Sequence, residues 1–302
     1  MKIYYTDRFV LPLPLGHRFP MEQYALLRAK VQADSIGKRH SLLVPEPVSD
    51  EEIRRAHDPK YLDAVVNGKL TPAEQRRIGF PWSAAMVERS RRSSGATLAA
   101  ARAALQYGVA VNLAGGTHHA HRDHGAGYCV FNDSAIAARA LRAERRVERI
   151  AIIDCDVHQG DGTAAILSAD PSIFTFSIHA ANNYPHPKQE SDLDIALPDG
   201  TGDDAYLDAL DRGLDTALLF FRPNLVIYLA GADPYRDDRL GRLALTFEGL
   251  AQRDRLVLRR CLKQGAAVAI TMAGGYARNI SDTAEIHLET VRSAAACAAQ
   301  WG

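Results

Sequence analysis

Short apolar runs alternate with longer amphipathic stretches along the chain. The apolar runs are rich in Val, Ile and Ala and have the length of buried strands. The five clearest are Val109 to Leu113, Ile150 to Asp154, Ile173 to Ile178, Leu225 to Ala230 and Val268 to Met272. The stretches between them repeat apolar residues at spacings of three and four, which is typical of helices. The four clearest are Ser83 to Gln106, Ser134 to Arg146, Asp203 to Phe221 and Phe247 to Lys263.

This alternation predicts an α/β fold in which helices cover both faces of a parallel sheet. No internal repeat or low-complexity linker interrupts the 302 residues, so we expect one domain. The acidic segment from Glu190 to Asp211 is expected to supply loops, turns and helix caps. A minor alternative places some of its carboxylates near a pocket mouth, where they would attract a cationic substrate.

Composition excludes several classes of protein. The 36 basic and 36 acidic residues cancel, so no overall field favours direct binding to nucleic acid. The apolar runs are too short to cross a bilayer, and the N-terminus lacks a secretory signal, so we expect a cytoplasmic protein without a membrane span. Four cysteines without CxxC spacing indicate reduced thiols.

Polar residues follow four of the predicted strands. In a parallel α/β sheet, ligands bind outside the carboxyl ends of the strands. The segments at these ends are Ala114 to Ala120, Asp154 to Gly162, Gly231 to Pro234 and Ala273 to Tyr276. They would deliver histidine, aspartate and tyrosine side chains to one rim of the sheet.

Asp156 and His158 occupy alternate positions of an extended segment, so both side chains can reach one ion. Asp233, from another strand end, would complete a site of two carboxylates and one imidazole. Three protein ligands leave coordination positions open, as in catalytic metal sites. Zn²⁺ suits this set, and Fe²⁺, Mn²⁺ and Co²⁺ are also compatible with it. The alternative is that Asp156 caps a helix and His158 is an ordinary loop residue.

His118 and His119 follow a Gly-Gly turn and are suited to acid and base roles, because the imidazole pKa lies near neutral pH. Asp154 and Asp161 are available to orient the two rings. The alternative is that both histidines bind the metal.

Tyr276 follows Gly274 and Gly275, and its phenol can donate a hydrogen bond to a developing oxyanion. The alternative is that it is a surface aromatic residue at a turn.

These segments resemble the histone deacetylase superfamily, most closely its class IV branch and bacterial relatives. The matching motifs are His17-Arg18-Phe19-Pro20-Met21 with Tyr24, Gly115-Gly116-Thr117-His118-His119, Gly127-Tyr128-Cys129-Val130-Phe131-Asn132-Asp133, Asp154-Cys155-Asp156-Val157-His158-Gln159-Gly160-Asp161-Gly162, Asp237-Asp238-Arg239-Leu240-Gly241 and Gly274-Gly275-Tyr276. The resemblance implies the arginase/deacetylase fold. Residues 1–302 would form a single three-layer α/β/α domain around a mostly parallel sheet of about eight strands.

The resemblance also implies residue roles. Asp156, His158 and Asp233 would bind zinc, His119 would be the general base, and Tyr276 would polarise the carbonyl group. His118 would complete the tandem pair, with Asp154 and Asp161 behind the two rings. An acyl-lysine tunnel would be lined by Gly127, Tyr128, Tyr184, Gly274 and Gly275. A structural K⁺ would be held by Asp154, Asp156, His158, Ser177 and Ile178.

The implied activity is zinc-dependent removal of acetyl or longer fatty acyl groups from lysine side chains or related amines. One alternative is an amidohydrolase of acetylpolyamines or other small molecules. Another is a ureohydrolase with two Mn²⁺ ions, but Gly231 stands two positions before Asp233, where a bridging aspartate would be needed. A third is a binding protein without turnover, although every catalytic position is filled.

Overall fold

The computed structural model describes residues 1–301 and contains one eight-stranded parallel sheet. The strands are β1 (Lys2–Tyr4), β2 (Ser41–Leu43), β3 (Val109–Asn112), β4 (Ile150–Asp154), β5 (Ile173–Ala180), β6 (Leu193–Leu197), β7 (Leu225–Leu229) and β8 (Ala267–Thr271). Their order is β2-β1-β3-β8-β7-β4-β5-β6. Because β3, β8, β7 and β4 are neighbours, the four polar strand ends predicted from the sequence lie along one continuous edge.

Helices connect these strands. They are α1 (Gln23–Ala33), α2 (Ser35–Arg39), α3 (Asp50–Arg54), α4 (Pro59–Val66), α5 (Pro72–Ile78), α6 (Ala84–Tyr107), α7 (Asp133–Ala143), α8 (Asp161–Leu167), α9 (Asp203–Asp215), α10 (Phe247–Lys263) and α11 (Ile280–Trp301). Capping follows the sequence: the Ser83 side chain accepts the Met86 amide at the start of α6, and Thr246 accepts the Gly249 amide at the start of α10.

The sheet has a core on each face, which confirms the predicted three-layer architecture. In β7, Val226 and Tyr228 pack with α1, α2, α9, α10 and α11, whereas Leu225, Ile227 and Leu229 pack with α3 to α8. Alternate strand residues point to opposite faces, so a continuous apolar run buries both sides.

No helix within residues 1–301 combines the length and apolar character needed to cross a membrane. All four cysteines are buried and unpaired, as expected.

The structure corrects the sequence prediction in three places. β1 and β2 were not predicted because each has only three residues, and β6 lies inside the acidic segment. Asp194 therefore belongs to an edge strand rather than to a turn, since Leu193 and Ile195 alternate with it toward the core. One helix was predicted from Asp203 to Phe221. In the structure its α-helical part ends at Asp215, and a π-helical turn, Thr216–Phe220, follows directly.

Candidate active site

Two carboxylates and one imidazole come together at the carboxyl edge of the sheet. Asp156 and His158 follow β4, and Asp233 follows the neighbouring strand β7. One potential ligand atom from each residue lies within 4.8 Å of the other two. The Val157 amide donates a 2.9 Å hydrogen bond to Asp233 Oδ1, which ties the two segments together. The structure thus brings together the three residues that the sequence predicts as metal ligands.

The charges in this group favour a bound cation. Burial and the charge of Asp156 raise the pKa of Asp233 to about 7. Burial lowers the pKa of His158, but Asp156 and Asp233 outweigh it and raise that pKa to about 10. Asp233 Oδ2 is buried and accepts no hydrogen bond within residues 1–301. Its nearest ionisable partner is His158 Nδ1 at 3.4 Å. A divalent cation would neutralise both carboxylates and could take both atoms as ligands, so the three residues fit a metal ion.

Two glycines leave room around this group. The Gly274 amide donates a 2.8 Å hydrogen bond to Asp156 Oδ2, and a Cβ at Gly274 would collide with the carboxylates of Asp156 and Asp233. A Cβ at Gly231 would lie 2.9 Å from Asp156 Oδ2 and 2.9 Å from Asp233 Oδ1. The site therefore has no space for a further side chain at Gly231, where a two-metal site would need a bridging aspartate.

His118 and His119 follow β3, and each ring has a carboxylate behind it. His118 Nδ1 lies 2.7 Å from Asp154 Oδ2, and His119 Nδ1 lies 2.6 Å from Asp161 Oδ1. The two Nε2 atoms lie 3.2 Å apart. Because the carboxylates engage both Nδ1 atoms, Nε2 is the atom of each ring that can exchange a proton with a substrate.

The two imidazoles differ in proton affinity. Burial and the neighbouring charge of His118 lower the pKa of His119 to about 4. Burial also lowers the pKa of His118, but Asp154 and Asp156 outweigh it and raise that pKa to about 9. His119 therefore holds a proton less strongly than His118 does. Such a separation of pKa values suits one residue to a base role and the other to an acid role.

A cavity of about 720 Å³ reaches the predicted metal group and the histidine pair. It is lined by four of the five predicted tunnel residues, Gly127, Tyr128, Tyr184 and Gly274. The Tyr184 ring lies 4.8 Å from the His119 ring in an edge-on arrangement. The fifth residue, Gly275, does not line the cavity, because it is buried against Thr283 and Ala232. A cavity of this size accommodates a small ligand or an extended side chain.

Tyr276 lines the same cavity and is fixed through its backbone. Its amide donates a 2.6 Å hydrogen bond to Asp238 Oδ2, while Asp238 Oδ1 accepts the amides of Leu240 and Gly241. Burial raises the pKa of Tyr276 well above its usual range, so the phenol stays protonated and can donate a hydrogen bond. Sequence reasoning did not assign this role to Asp238, although the residue lies in a quoted motif.

The residues predicted to hold K⁺ lie beside the metal group. Asp154 and Ser177 are register partners on β4 and β5, and Ile178 is the next residue of β5. Asp154 Oδ1 accepts the Asp156 amide at 3.1 Å, while Ser177 Oγ lies 3.0 Å from His179 Nδ1. K⁺ binding at these residues remains a prediction.

Sequence reasoning missed two polar residues near the site. His121 Nε2 lies 2.9 Å from Asp161 Oδ2, so one carboxylate contacts both His119 and His121. The sequence offered one signal for a role of His121 in the site, its position two residues after His119. Arg89, in the second turn of α6, is 7% exposed and lines the cavity. No signal distinguished it from the surface arginines of the same helix.

Arg253 connects the segments that carry the predicted metal ligands. Its side chain on α10 is fully buried, and Nη1 donates to the carbonyl oxygens of Gly231 at 2.5 Å and Cys155 at 3.3 Å. Asp254 accepts Arg253 Nε at 2.9 Å and the hydroxyl of Tyr228 at 2.6 Å. The arginine was not singled out in the sequence because its partners are distant along the chain.

Replacing Arg253 with alanine is expected to lower the free energy of unfolding by about 3–5 kcal/mol, because Asp254 would remain buried without its cation. Chemical denaturation measures this change. Arg255→Ala in the same helix is the matched control, because Arg255 is partly exposed and its pairing with Glu248 is worth less than about 1 kcal/mol. Equal stability of the two variants would contradict the structural role of Arg253.

Comparisons with known proteins agree with this arrangement. Residues 17–291 match the family model described as "Histone deacetylase domain". An uncharacterized protein of Picosynechococcus sp. is 46% identical over 94% of this chain and 95% of its own length. The histone deacetylase-like amidohydrolase of Pseudomonas aeruginosa is 29% identical, over 88% of this chain and 74% of its own length.

A solved structure described as an HDAC homolog complexed with SAHA superposes with a TM-score of 0.84. It is 24% identical in sequence, and the alignment covers 97% of this chain and 83% of that one. At this identity the likeness shows the fold, and it confirms the three-layer architecture expected from the resemblance.

Proposed function

Because the chain belongs to the histone deacetylase family, whose members hydrolyse amides, we propose that it is a metal-dependent deacylase. Its substrates would be acetylated or longer fatty-acylated lysine side chains or related amines. The observation that carries this proposal is the group of Asp156, His158 and Asp233 beside the histidine pair on one cavity. The match over residues 17–291 supports a single catalytic domain.

We propose that Asp156, His158 and Asp233 hold one Zn²⁺, and Fe²⁺, Mn²⁺ or Co²⁺ would suit the same ligands. When bound, such an ion supplies Lewis-acid chemistry that polarises a carbonyl group and lowers the pKa of water. A larger side chain does not fit at Gly231, where a second ion would need a bridging aspartate. This supports one ion rather than the two of a Mn²⁺ ureohydrolase. K⁺ at Asp154, Asp156, His158, Ser177 and Ile178 completes the proposed ion sites.

His119 Nε2 takes the proton of the attacking water, because this imidazole is neutral and Asp161 supports its Nδ1. His118 is held by Asp154 through Nδ1, and its Nε2 lies 3.2 Å from that of His119, so it can share the proton that His119 takes up. As water attacks the acyl carbon, Tyr276 donates a hydrogen bond to the negative charge that develops on the carbonyl oxygen. The C–N bond then breaks, and an imidazolium protonates the leaving amine to give a carboxylate and a free amine.

The tunnel residues orient the acyl-lysine chain. Tyr128 and Tyr184 present aromatic rings to the cavity, and the Tyr128 ring lies 6.0 Å from that of Tyr276. Such walls contact the apolar part of a lysine side chain and exclude water from it. Gly127 and Gly274 also line the cavity and add no side chain to it.

Hydrolysis of acetyl-, octanoyl- and myristoyl-lysine peptides, compared with acetylputrescine, tests this proposal. We expect the zinc-loaded protein to cleave at least one lysine peptide, and exhaustive chelation to abolish turnover until Zn²⁺ is restored. Metal analysis should give one divalent ion per chain. Failure on every lysine peptide, or full activity after chelation, would overturn the proposal, and two Mn²⁺ per chain would favour a ureohydrolase.

A further inference from the structure

The exposed charged side chains that line the cavity are all arginines. They belong to Arg76, Arg77 and Arg242. The carboxylates that line it belong to Asp156 and Asp233, which are 1% and 0% exposed and lie in the predicted metal group. The mouth is therefore positively charged, although the chain as a whole is neutral.

The acidic segment does not reverse this charge. None of its residues from Glu190 to Asp211 lines the cavity, so a role for them in attracting a cationic substrate stays a prediction. Asp199 pairs with Arg242 at 3.0 Å and offsets part of that one charge. Within residues 1–301, neither Arg76 nor Arg77 has a carboxylate oxygen within 4.0 Å. These two guanidinium groups are free to meet a ligand.

The two arginines are also held in place. Both lie in the last turn of α5, and Gly79, which follows the helix and caps it, has a left-handed conformation (φ 87°). The Gly127 amide donates to the Arg77 carbonyl at 3.1 Å, and the Tyr128 amide donates to the Ile78 carbonyl at 2.7 Å. The backbone that carries the basic pair is thus bonded to the loop that forms one wall of the tunnel.

We propose that the substrate is an acyl-lysine flanked by acidic residues, an inference that rests on the proposed deacylase function. When the acyl-lysine side chain enters the cavity, its neighbours in the peptide remain at the mouth. Carboxylates there would meet Arg76 and Arg77, whereas the free ammonium groups of an acetylpolyamine would meet like charge. The mouth therefore selects against the polyamine alternative as well as for acidic peptides.

Two acetyl-lysine peptides of equal length test this proposal, one with glutamates and one with lysines beside the acetyl-lysine. At low salt we expect the acidic peptide to have a kcat/KM about tenfold higher, and the difference to shrink in high salt. The double variant Arg76→Glu/Arg77→Glu should reverse the preference, and Arg76→Gln/Arg77→Gln should remove it. Arg212→Glu on α9 is the matched control, because this exposed arginine does not line the cavity.

Equal cleavage of both peptides, a preference for the basic peptide or acetylputrescine, or an unchanged preference in the double variants would overturn the charge proposal. If the zinc-loaded protein cleaves neither peptide, nor the octanoyl and myristoyl forms of either, the proposed function fails instead. Fluorescence anisotropy of the same two labelled peptides then still decides the charge proposal, which requires tighter binding of the acidic peptide. Thermal unfolding confirms that the variants are folded.

Discussion

Replacing Asp233 with alanine is expected to abolish binding of the divalent ion and, with it, hydrolysis. The change removes one of two carboxylates and leaves Asp156 and His158 as the remaining ligands. Lewis-acid activation is worth several kcal/mol, so we expect turnover to fall by at least about 10³-fold. Elemental analysis of the purified protein measures the metal independently of activity.

Asp237→Ala is the matched control, because Asp237 lies four residues further along and is exposed. It should keep both metal and activity. Asp233→Asn retains the size of the side chain, and thermal unfolding of both Asp233 variants separates loss of metal from loss of fold. A folded Asp233→Ala protein that still holds one ion per chain would remove Asp233 from the ligand set.

Replacing Tyr276 with phenylalanine is expected to lower kcat by about 10²–10³-fold while the metal content stays unchanged. The change deletes only the hydroxyl group, and loss of one oxyanion donor typically has an effect of this size. The aromatic ring remains, and so does the hydrogen bond from the backbone amide of residue 276 to Asp238, so the cavity keeps its shape. Steady-state kinetics and elemental analysis of the same preparation measure both quantities.

Tyr107→Phe provides the control, because Tyr107 is 42% exposed and lies just before β3, at the opposite edge of the sheet. Its kcat should match that of the parent protein. If Tyr276→Phe lost the ion as well, Tyr276 would have a structural role, and an undiminished kcat would exclude it as the oxyanion donor. Together with Asp233→Ala, this variant distinguishes metal binding from carbonyl polarisation.

The periodicity of apolar residues predicted those strands and helices that are long enough to show a period. The bounds of β4 and α10 were predicted correctly, because a buried apolar strand and a long amphipathic helix each have a clear period. β1 and β2 are too short to show a period, and pairing with neighbouring strands makes them part of the sheet. The change from α-helix to a π-helical turn after Asp215 likewise had no local signal.

The site follows the same division. Alternation of Asp156 and His158 after a strand, and the histidine pair after another, are visible in the sequence because they depend on positions only a few residues apart. The convergence of Asp233 with Asp156 follows from the adjacency of β4 and β7, which the sequence suggested only through the rule for strand ends. The contact of His121 with Asp161 spans 40 residues and was not seen.

The sequence by itself determined the α/β class, the edge of the sheet that carries the chemistry, and the kinds of side chain at the proposed site. Only the tertiary structure decided that Arg253 joins the Cys155 and Gly231 segments, which are 98 and 22 residues away from it. It also decided the opposite pKa shifts of His118 and His119 and the basic mouth of the cavity. Burial and electrostatic fields arise from groups that the chain brings together from distant positions, so no local pattern contains them.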